Sequence, residues 1–190
     1  MSGLVDSLII IWVNMSKETE RAKYMKTWND KGYRLASPGE INLHKFLEQN
    51  PKRGSLVDFG CGTGRATLKL QKEGFDVLGV DIANNAIDTP VPFEEACIWE
   101  KPFKADWAYC CDVLEHIPPE FVEKTIENMQ TKNCFIQVHL KEDKFGKRVN
   151  ETLHLTIKPH SWWLEKLSKW NITHHETNGT TSIFYGEGND

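Results

Sequence analysis

The sequence predicts a doubly wound α/β domain: seven strands in a mostly parallel sheet, helices on both faces, and an antiparallel strand supplied by a C-terminal hairpin. Three observations lead there. From Ser55 onward, apolar runs of strand length alternate with helical stretches, the pattern of βα units around a parallel sheet. The first run, Val57-Asp58-Phe59, ends in Gly60-Cys61-Gly62-Thr63-Gly64, with glycine at every second position, and a helical stretch opens at Arg65. Near the C-terminus, two β-prone runs flank Asn178-Gly179, a pair suited to a tight hairpin turn.

At 190 residues the chain can bury a sizeable core and favours one domain. Its formal net charge of −4 leaves no basic footprint for nucleic acid, and the lysine-rich stretch 141–148 reads as a solvated loop. The cysteines Cys61, Cys97, Cys110, Cys111 and Cys134 are odd in number and form no Cys-x-x-Cys pair. They read as reduced thiols of a cytoplasmic protein, not as a disulfide frame or a zinc site. The apolar run Leu8-Ile9-Ile10-Ile11-Trp12-Val13 is too short to span a bilayer and lacks a preceding basic residue, so neither a span nor a secretory signal is expected. It reads as a terminal extension. Residues 1–36 are expected to form this extension and a helix, and 37–190 the domain proper.

In chain order, residues 17–29 are charged with scattered apolar positions and read as one helix. Ser37-Pro38-Gly39-Glu40 has the form of a capping box, with Pro38 at the first helical position, and the helix stops before Pro51. A strand over 55–59 leads into a helix over 65–72, which Gly74 ends. A second strand covers 77–80 and ends at Asp81; a helical turn follows over 84–87. A weak third strand is expected over 96–99, a fourth over 105–111, and a fifth over 134–140. Between the last two, 119–129 is helical, with Phe121, Val122, Ile126 and Met129 on one stripe. A helix over 161–167 precedes hairpin strands over 171–177 and 181–185.

Glycines without a Cβ let a backbone approach a ligand, and the helix beyond points free N–H groups at it. Asp81 lies 81 − 64 = 17 residues past the last loop glycine. A carboxylate there can accept hydrogen bonds from two vicinal ribose hydroxyls. The G-x-G-x-G spacing departs from the G-x-G-x-x-G of dinucleotide sites, so an adenosine ligand is expected, although neither feature alone excludes NAD.

Four segments together resemble the class I S-adenosylmethionine-dependent methyltransferases. They are the loop Val57-Asp58-Phe59-Gly60-Cys61-Gly62-Thr63-Gly64, the strand end Val77-Leu78-Gly79-Val80-Asp81, the run Cys111-Asp112-Val113-Leu114-Glu115-His116-Ile117, and the Asn178-Gly179 hairpin. The resemblance spans roughly 38–186 and implies a Rossmann-like fold with S-adenosyl-L-methionine as cofactor. It implies that Gly60, Cys61, Gly62 and Gly64 border the methionine part, and that Asp58 orients the loop or the ligand amine. Asp81 would hold the ribose, and Ile82, Ile98 and Trp99 would flank the adenine. Cys111 and Asp112 would lie under the methionine moiety. Where the family often carries an acid for the adenine amino group, this chain has Cys97.

Methyl transfer needs an in-line nucleophile held close, and a base if that nucleophile carries a proton. Histidine suits that task near neutral pH. In an open α/β sheet the site lies beyond the carboxyl ends of the strands. His139, then His116 and His154, are therefore the candidate bases, whereas His44, His174 and His175 read as structural or exposed. Glu115 and His116 are adjacent ligand types with no third in evidence, so no required metal is expected. The long segment 141–158 reads as a cover on the acceptor side, with Trp162 and Trp163 either lining a pocket or packed in the core.

The Asn/Asp-Pro-Pro-aromatic motif of many base-amino methyltransferases is absent: His116-Ile117-Pro118-Pro119-Glu120 has the prolines without the aromatic. The expected acceptor is a small molecule, lipid headgroup or saccharide, methylated on oxygen, and nucleic acid is disfavoured. A non-catalytic binding protein, a cofactor-degrading protein and a nicotinamide-dependent oxidoreductase are the competing readings. Oligomeric state is not legible.

Overall fold

The computed structural model describes residues 16–188. The apolar run Leu8-Ile9-Ile10-Ile11-Trp12-Val13 lies outside the described residues. A first helix, α1, covers 16–27. The following elements are α2 (Pro38–Glu48), β1 (Ser55–Phe59), α3 (Arg65–Lys72), β2 (Asp76–Asp81), β3 (Phe93–Glu95), β4 (Phe103–Cys111) and α4 (Val122–Asn128). The chain continues through β5 (Met129–His139), the single turn α5 (Gly146–Val149), α6 (His160–Lys166), β6 (Asn171–Thr177) and β7 (Thr181–Glu187).

The sheet runs β3-β2-β1-β4-β5-β7-β6. Strands β1 to β5 pair in parallel, and β7 inserts antiparallel between β5 and β6. Chain order reverses between β1 and β4, and this break opens the crevice described below. β1 is buried along Leu56-Val57-Asp58-Phe59, as a central strand covered on both faces must be. Its alternation divides the core. Val57 and Phe59 face a cluster with Ile126, Trp163 and Phe184; Leu56 faces one with Phe46, Leu70 and Tyr109. Helices α2 and α3 thus cover one face and α4 and α6 the other. Phe46 of α2 centres the second cluster, with the rings of Phe75, Trp107, Tyr109 and Phe135 at 5.2–5.5 Å.

Several elements depart from the sequence reading. The third strand is β3 at Phe93–Glu95, pairing with Gly79 to Asp81, and 96–99 is not a strand. Instead the Cys97 carbonyl accepts from the N–H groups of Glu100 and Lys101, a turn that buries Cys97, Ile98 and Trp99. The charged pair Glu94-Glu95 hid a short edge strand, and charge is how edges avoid further pairing. The stretch 84–87 holds only the turn in which Ala86 N–H donates to the Ala83 carbonyl. β4 and β5 begin earlier than expected, because the polar start of β5 pairs with Phe103 to Trp107. Helix 119–129 divides into a 3₁₀ turn at Pro119–Phe121 and α4. Of the capping box, Ser37 Oγ accepts from Glu40 N–H at 3.4 Å. The Glu40 carboxylate turns away to Lys69 and Arg65. The hairpin loop carries Gly179 at φ 79°, with Asn178 Oδ1 accepting from the N–H groups of Thr180 and Thr181.

Candidate active site

The loop after β1 takes its form from its glycines. Gly60, Gly62 and Gly64 have φ of 65°, 52° and 78°, the left-handed region that side chains disfavour. A Cβ on Gly60 would lie 2.3 Å from Val113 Cγ2, on Gly62 2.8 Å from Trp28, and on Gly64 2.2 Å from Thr89 Oγ1. The close approach these glycines permit is therefore first an approach to the protein's own side chains. Gly62 N–H donates to Asp81 Oδ2 and Ala83 N–H to Asp81 Oδ1, each at 3.0 Å. Asp81 thus ties the glycine loop to the turn after β2, and each carboxylate oxygen keeps a lone pair for a ligand hydroxyl.

Two adjoining clefts meet at Gly60 and Asp112, beyond the carboxyl ends of β1 and β4. The first is lined by Asp81, Ile82, Ile98 and Trp99, the residues expected around an adenosine. Trp99 lies parallel to Phe121, ring centroids 5.3 Å apart, and its buried indole N–H has no partner. The second cleft is lined by Asp58, Cys61, Gly62, Cys111 and Asp112, the residues expected around the methionine part. Of the predicted cofactor set only Gly64 lines neither; it serves as N-cap of α3. All five cysteines are free and buried.

The electrostatics suit a cationic ligand. Burial pushes the Asp58 carboxyl up to about 7, although Thr67 Oγ1 donates to it at 2.6 Å. Burial likewise lifts Asp81 to about 6, against the N–H groups of Ala83 and Gly62. Buried acids lacking a counter-ion are what an ammonium or sulfonium would compensate. Together with the unpartnered Trp99 N–H and the two lone pairs on Asp81, the residues present fit S-adenosylmethionine.

Sequence reasoning missed the front wall. Tyr24, Trp28 and Tyr33, from α1 and the segment after it, line the clefts. Arg34 fixes that segment: its Nε donates to the Trp28 carbonyl and its Nη1 to the Ala86 carbonyl, each at 2.9 Å, and Nη2 reaches the Asn85 carbonyl. The run 17–29 carried a helix signal but none for what the helix covers. The segment 141–158 stands against this same wall. Phe145 packs on Tyr33 at 5.1 Å, Arg148 pairs with Asp30 at 2.8 Å, and Lys23 Nζ donates to the Thr152 carbonyl at 3.1 Å. Trp163 is fully buried in the core, and Trp162 lies between Lys158 and Lys166; neither lines these clefts.

The three candidate bases gather around Asp112, whose φ of 64° is rare for a residue with a side chain. His139 Nε2 is 3.4 Å from Asp112 Oδ1, and His116 Nε2 is 3.9 Å from Oδ2. His154 stands beside both rings, 4.6 Å from His116 and 5.6 Å from His139 between centroids. Burial raises the Asp112 carboxyl, but the neighbouring His116, His139 and His154 outweigh it and hold it below the usual range. Glu115 is fully buried; burial and the Asp112 charge push it well up. His139 also lines a third cleft, against α2 and the hairpin, beside Gln137, whose two amide atoms are buried and unpartnered. His160 lies apart, bonded to Ser182 and His175 and stacked on Phe184.

Comparison with known proteins bears on the family and the fold. A family model described as a methyltransferase domain matches residues 33–177. A methyltransferase candidate of Geobacillus sp. (strain WCH70) is 43% identical over 47 residues, 24% of this chain and 19% of that protein, so the match spans about a fifth of the relative. Among solved structures, the PH0226 protein of Pyrococcus horikoshii OT3 superposes with a TM-score of 0.67 at 15% identity, over 85% of this chain and 93% of that one. Magnesium protoporphyrin IX methyltransferase of Synechocystis PCC 6803, with S-adenosylhomocysteine bound, gives 0.60 at 16% identity, over 88% and 84%.

Proposed function

Because this chain belongs to the class I methyltransferase family, as its match over 33–177 shows, we propose that it methylates an oxygen of a small molecule, lipid headgroup or saccharide, with S-adenosylmethionine as donor. The observation that carries this reading is the junction of the two clefts at Gly60 and Asp112, with His139 beside Asp112 and open to a third cleft. When bound, the cofactor supplies an activated methyl group, whose C–S electron pair departs with sulfur as the acceptor oxygen bonds the carbon. Asp81 accepts from the ribose hydroxyls, and Asp58 accepts from the ammonium of the methionine part. His139 takes the hydroxyl proton on Nδ1, while Asp112, beside Nε2 at 3.4 Å, steadies the imidazolium that forms. A formal charge of −4 supports a small acceptor over a polyanion. No helix of the described residues is long and apolar enough to cross a membrane, which accords with a cytoplasmic setting.

The test is incubation of the purified protein with methyl-labelled cofactor and a fractionated cell extract. Label in the low-molecular-weight or lipid fraction, retained through alkali-stable ether chemistry or released as an ester, is the expected result. Label confined to RNA or protein would overturn the acceptor class. No label at all from a protein that binds the cofactor would support a non-catalytic role.

A further inference from the structure

The knot of groups behind the crevice has a composition that proton transfer alone does not require. Asp112, Glu115, His116 and His154 each offer a ligand atom, and these atoms lie within 4.8 Å of one another. Three of them lack any hydrogen-bond partner: Asp112 Oδ1, Glu115 Oε2 and His116 Nε2. Glu115 is 0% exposed and His116 7%. Buried polar atoms are almost always paired, so Glu115 Oε2 and His116 Nε2, with no partner, and Asp112 Oδ1, with only His139 Nε2 at 3.4 Å, mark a missing partner within this cluster.

The other atom of each side chain is held from outside. Glu115 Oε1 accepts from the His139 N–H, which leaves Oε2 for the centre. His116 Nδ1 is bonded to the Tyr24 hydroxyl at 2.7 Å, which leaves Nε2. His154 Nδ1 meets the Lys141 carbonyl at 2.6 Å. A carbonyl only accepts, so the proton of His154 sits on Nδ1, and Nε2 of the neutral ring carries a lone pair. Such outer bonds orient histidine ligands at metal centres. The N–H groups of Leu155 and Thr156 both donate to the Glu115 carbonyl at 2.8 Å, clamping the segment that carries His154 onto the turn that carries Glu115 and His116.

We propose that Asp112, Glu115, His116 and His154 bind one divalent transition-metal ion beside the methyl-transfer crevice. Two carboxylates and two imidazoles neutralise a dication, and the mixed nitrogen and oxygen set favours manganese, iron, cobalt or zinc over magnesium or calcium. Metal–ligand bonds of about 2.0–2.2 Å set donors about 3.4 Å apart in a tetrahedron and about 4.2 Å apart across an octahedron, so the widest-spaced donors close by about half an ångström to one and a half ångströms when the ion binds. The sequence reading expected no required metal because Glu115 and His116 lacked a third ligand; the fold supplies Asp112 and His154. The ion's role rests on the methyl-transfer reading: it polarises an acceptor oxygen and eases loss of its proton to His139. The binding site itself does not rest on that reading.

The full-length protein, stripped with a chelator, is titrated with Co²⁺ followed by visible absorption and with Mn²⁺ followed by electron paramagnetic resonance. A ligand-field band saturating at one equivalent, and loss of the free Mn²⁺ signal at the same ratio, are expected. His154→Ala weakens both by about tenfold or more, while calorimetric binding of S-adenosylhomocysteine persists. Glu115→Gln is the second variant, should the first fail to fold by circular dichroism. His175→Ala, which removes half of the exposed His160–His175 pair, leaves the titration unchanged. The proposal is overturned by a wild-type protein with no saturable band, by ligand variants that bind as wild type does, or by a band that disappears with His175→Ala. Metal binding without S-adenosylhomocysteine binding removes the methyl-transfer reading and leaves the ion site; the converse removes the ion site alone.

Discussion

Asp58 stands on the buried strand β1, bonded to Thr67 and lining the methionine-side cleft. Burial holds its carboxyl up at about 7 and that of Asp81 at about 6, against about 3.9 in an unfolded chain. A folded acid raised in this way binds its proton more tightly than the unfolded one. Its contribution is complete below about pH 4 and is lost as the pH rises through the folded values. The unliganded protein should therefore lose thermal stability between about pH 4 and pH 7, by about 2–4 °C for each kcal/mol lost. Scanning calorimetry should show this slope flattening in Asp58→Asn, and flattening again when S-adenosylmethionine sets an ammonium beside the carboxylate. At His139 the expectation is kinetic. His139→Ala should cut turnover by about 10²–10⁴-fold while leaving S-adenosylhomocysteine affinity unchanged in calorimetry; unchanged turnover would remove it as the base.

At the scale of elements, the β1–α3 turn and the β6–β7 hairpin use the same left-handed glycine for different purposes. Gly60 (φ 65°) has Val113 against it, whereas Gly179 (φ 79°) has nothing within 4 Å. Gly179→Ala should cost about 1 kcal/mol, for strain alone. Gly60→Ala adds a collision with the turn after β4 and should cost about 2–4 kcal/mol, measured as the difference in urea midpoints. The same contrast explains what could be read beforehand. β1 and α3 were legible to the residue, because a central strand is apolar along its length and its loop is dense with glycine. β3 was not, because three residues at a charged edge carry no apolar run. The polar start of β5 was hidden likewise, being specified by its pairing with β4 and not by its own composition.

Across the whole molecule, the crevice is built from segments distant in sequence, and legibility falls with that distance. Ten of the eleven predicted cofactor residues line the two clefts, since they sit in local motifs at strand ends. Tyr24, Trp28 and Tyr33 escaped notice because nothing in 16–36 signals that it crosses the sheet's topological break. The grouping of His154 with Asp112 and Glu115 was hidden for the same reason. Arg34 tests how this front wall is held. Arg34→Ala leaves the carbonyls of Trp28, Asn85 and Ala86 without its guanidinium. It should speed S-adenosylhomocysteine dissociation several-fold in stopped-flow fluorescence of the cleft tryptophans, with little change in secondary structure. An unchanged off-rate would mean that the wall does not gate the crevice.

The central claim is that an adenosyl amino acid occupies the joined clefts, gripped by Asp81 at one end and Asp58 at the other. Isothermal titration of the full chain with S-adenosylhomocysteine tests it most directly. The account predicts saturable one-to-one binding with a micromolar constant (about −8 kcal/mol), weakened at least about tenfold by Asp81→Ala. A titration that shows no heat at any accessible concentration, or affinity that Asp81→Ala leaves untouched, would contradict it.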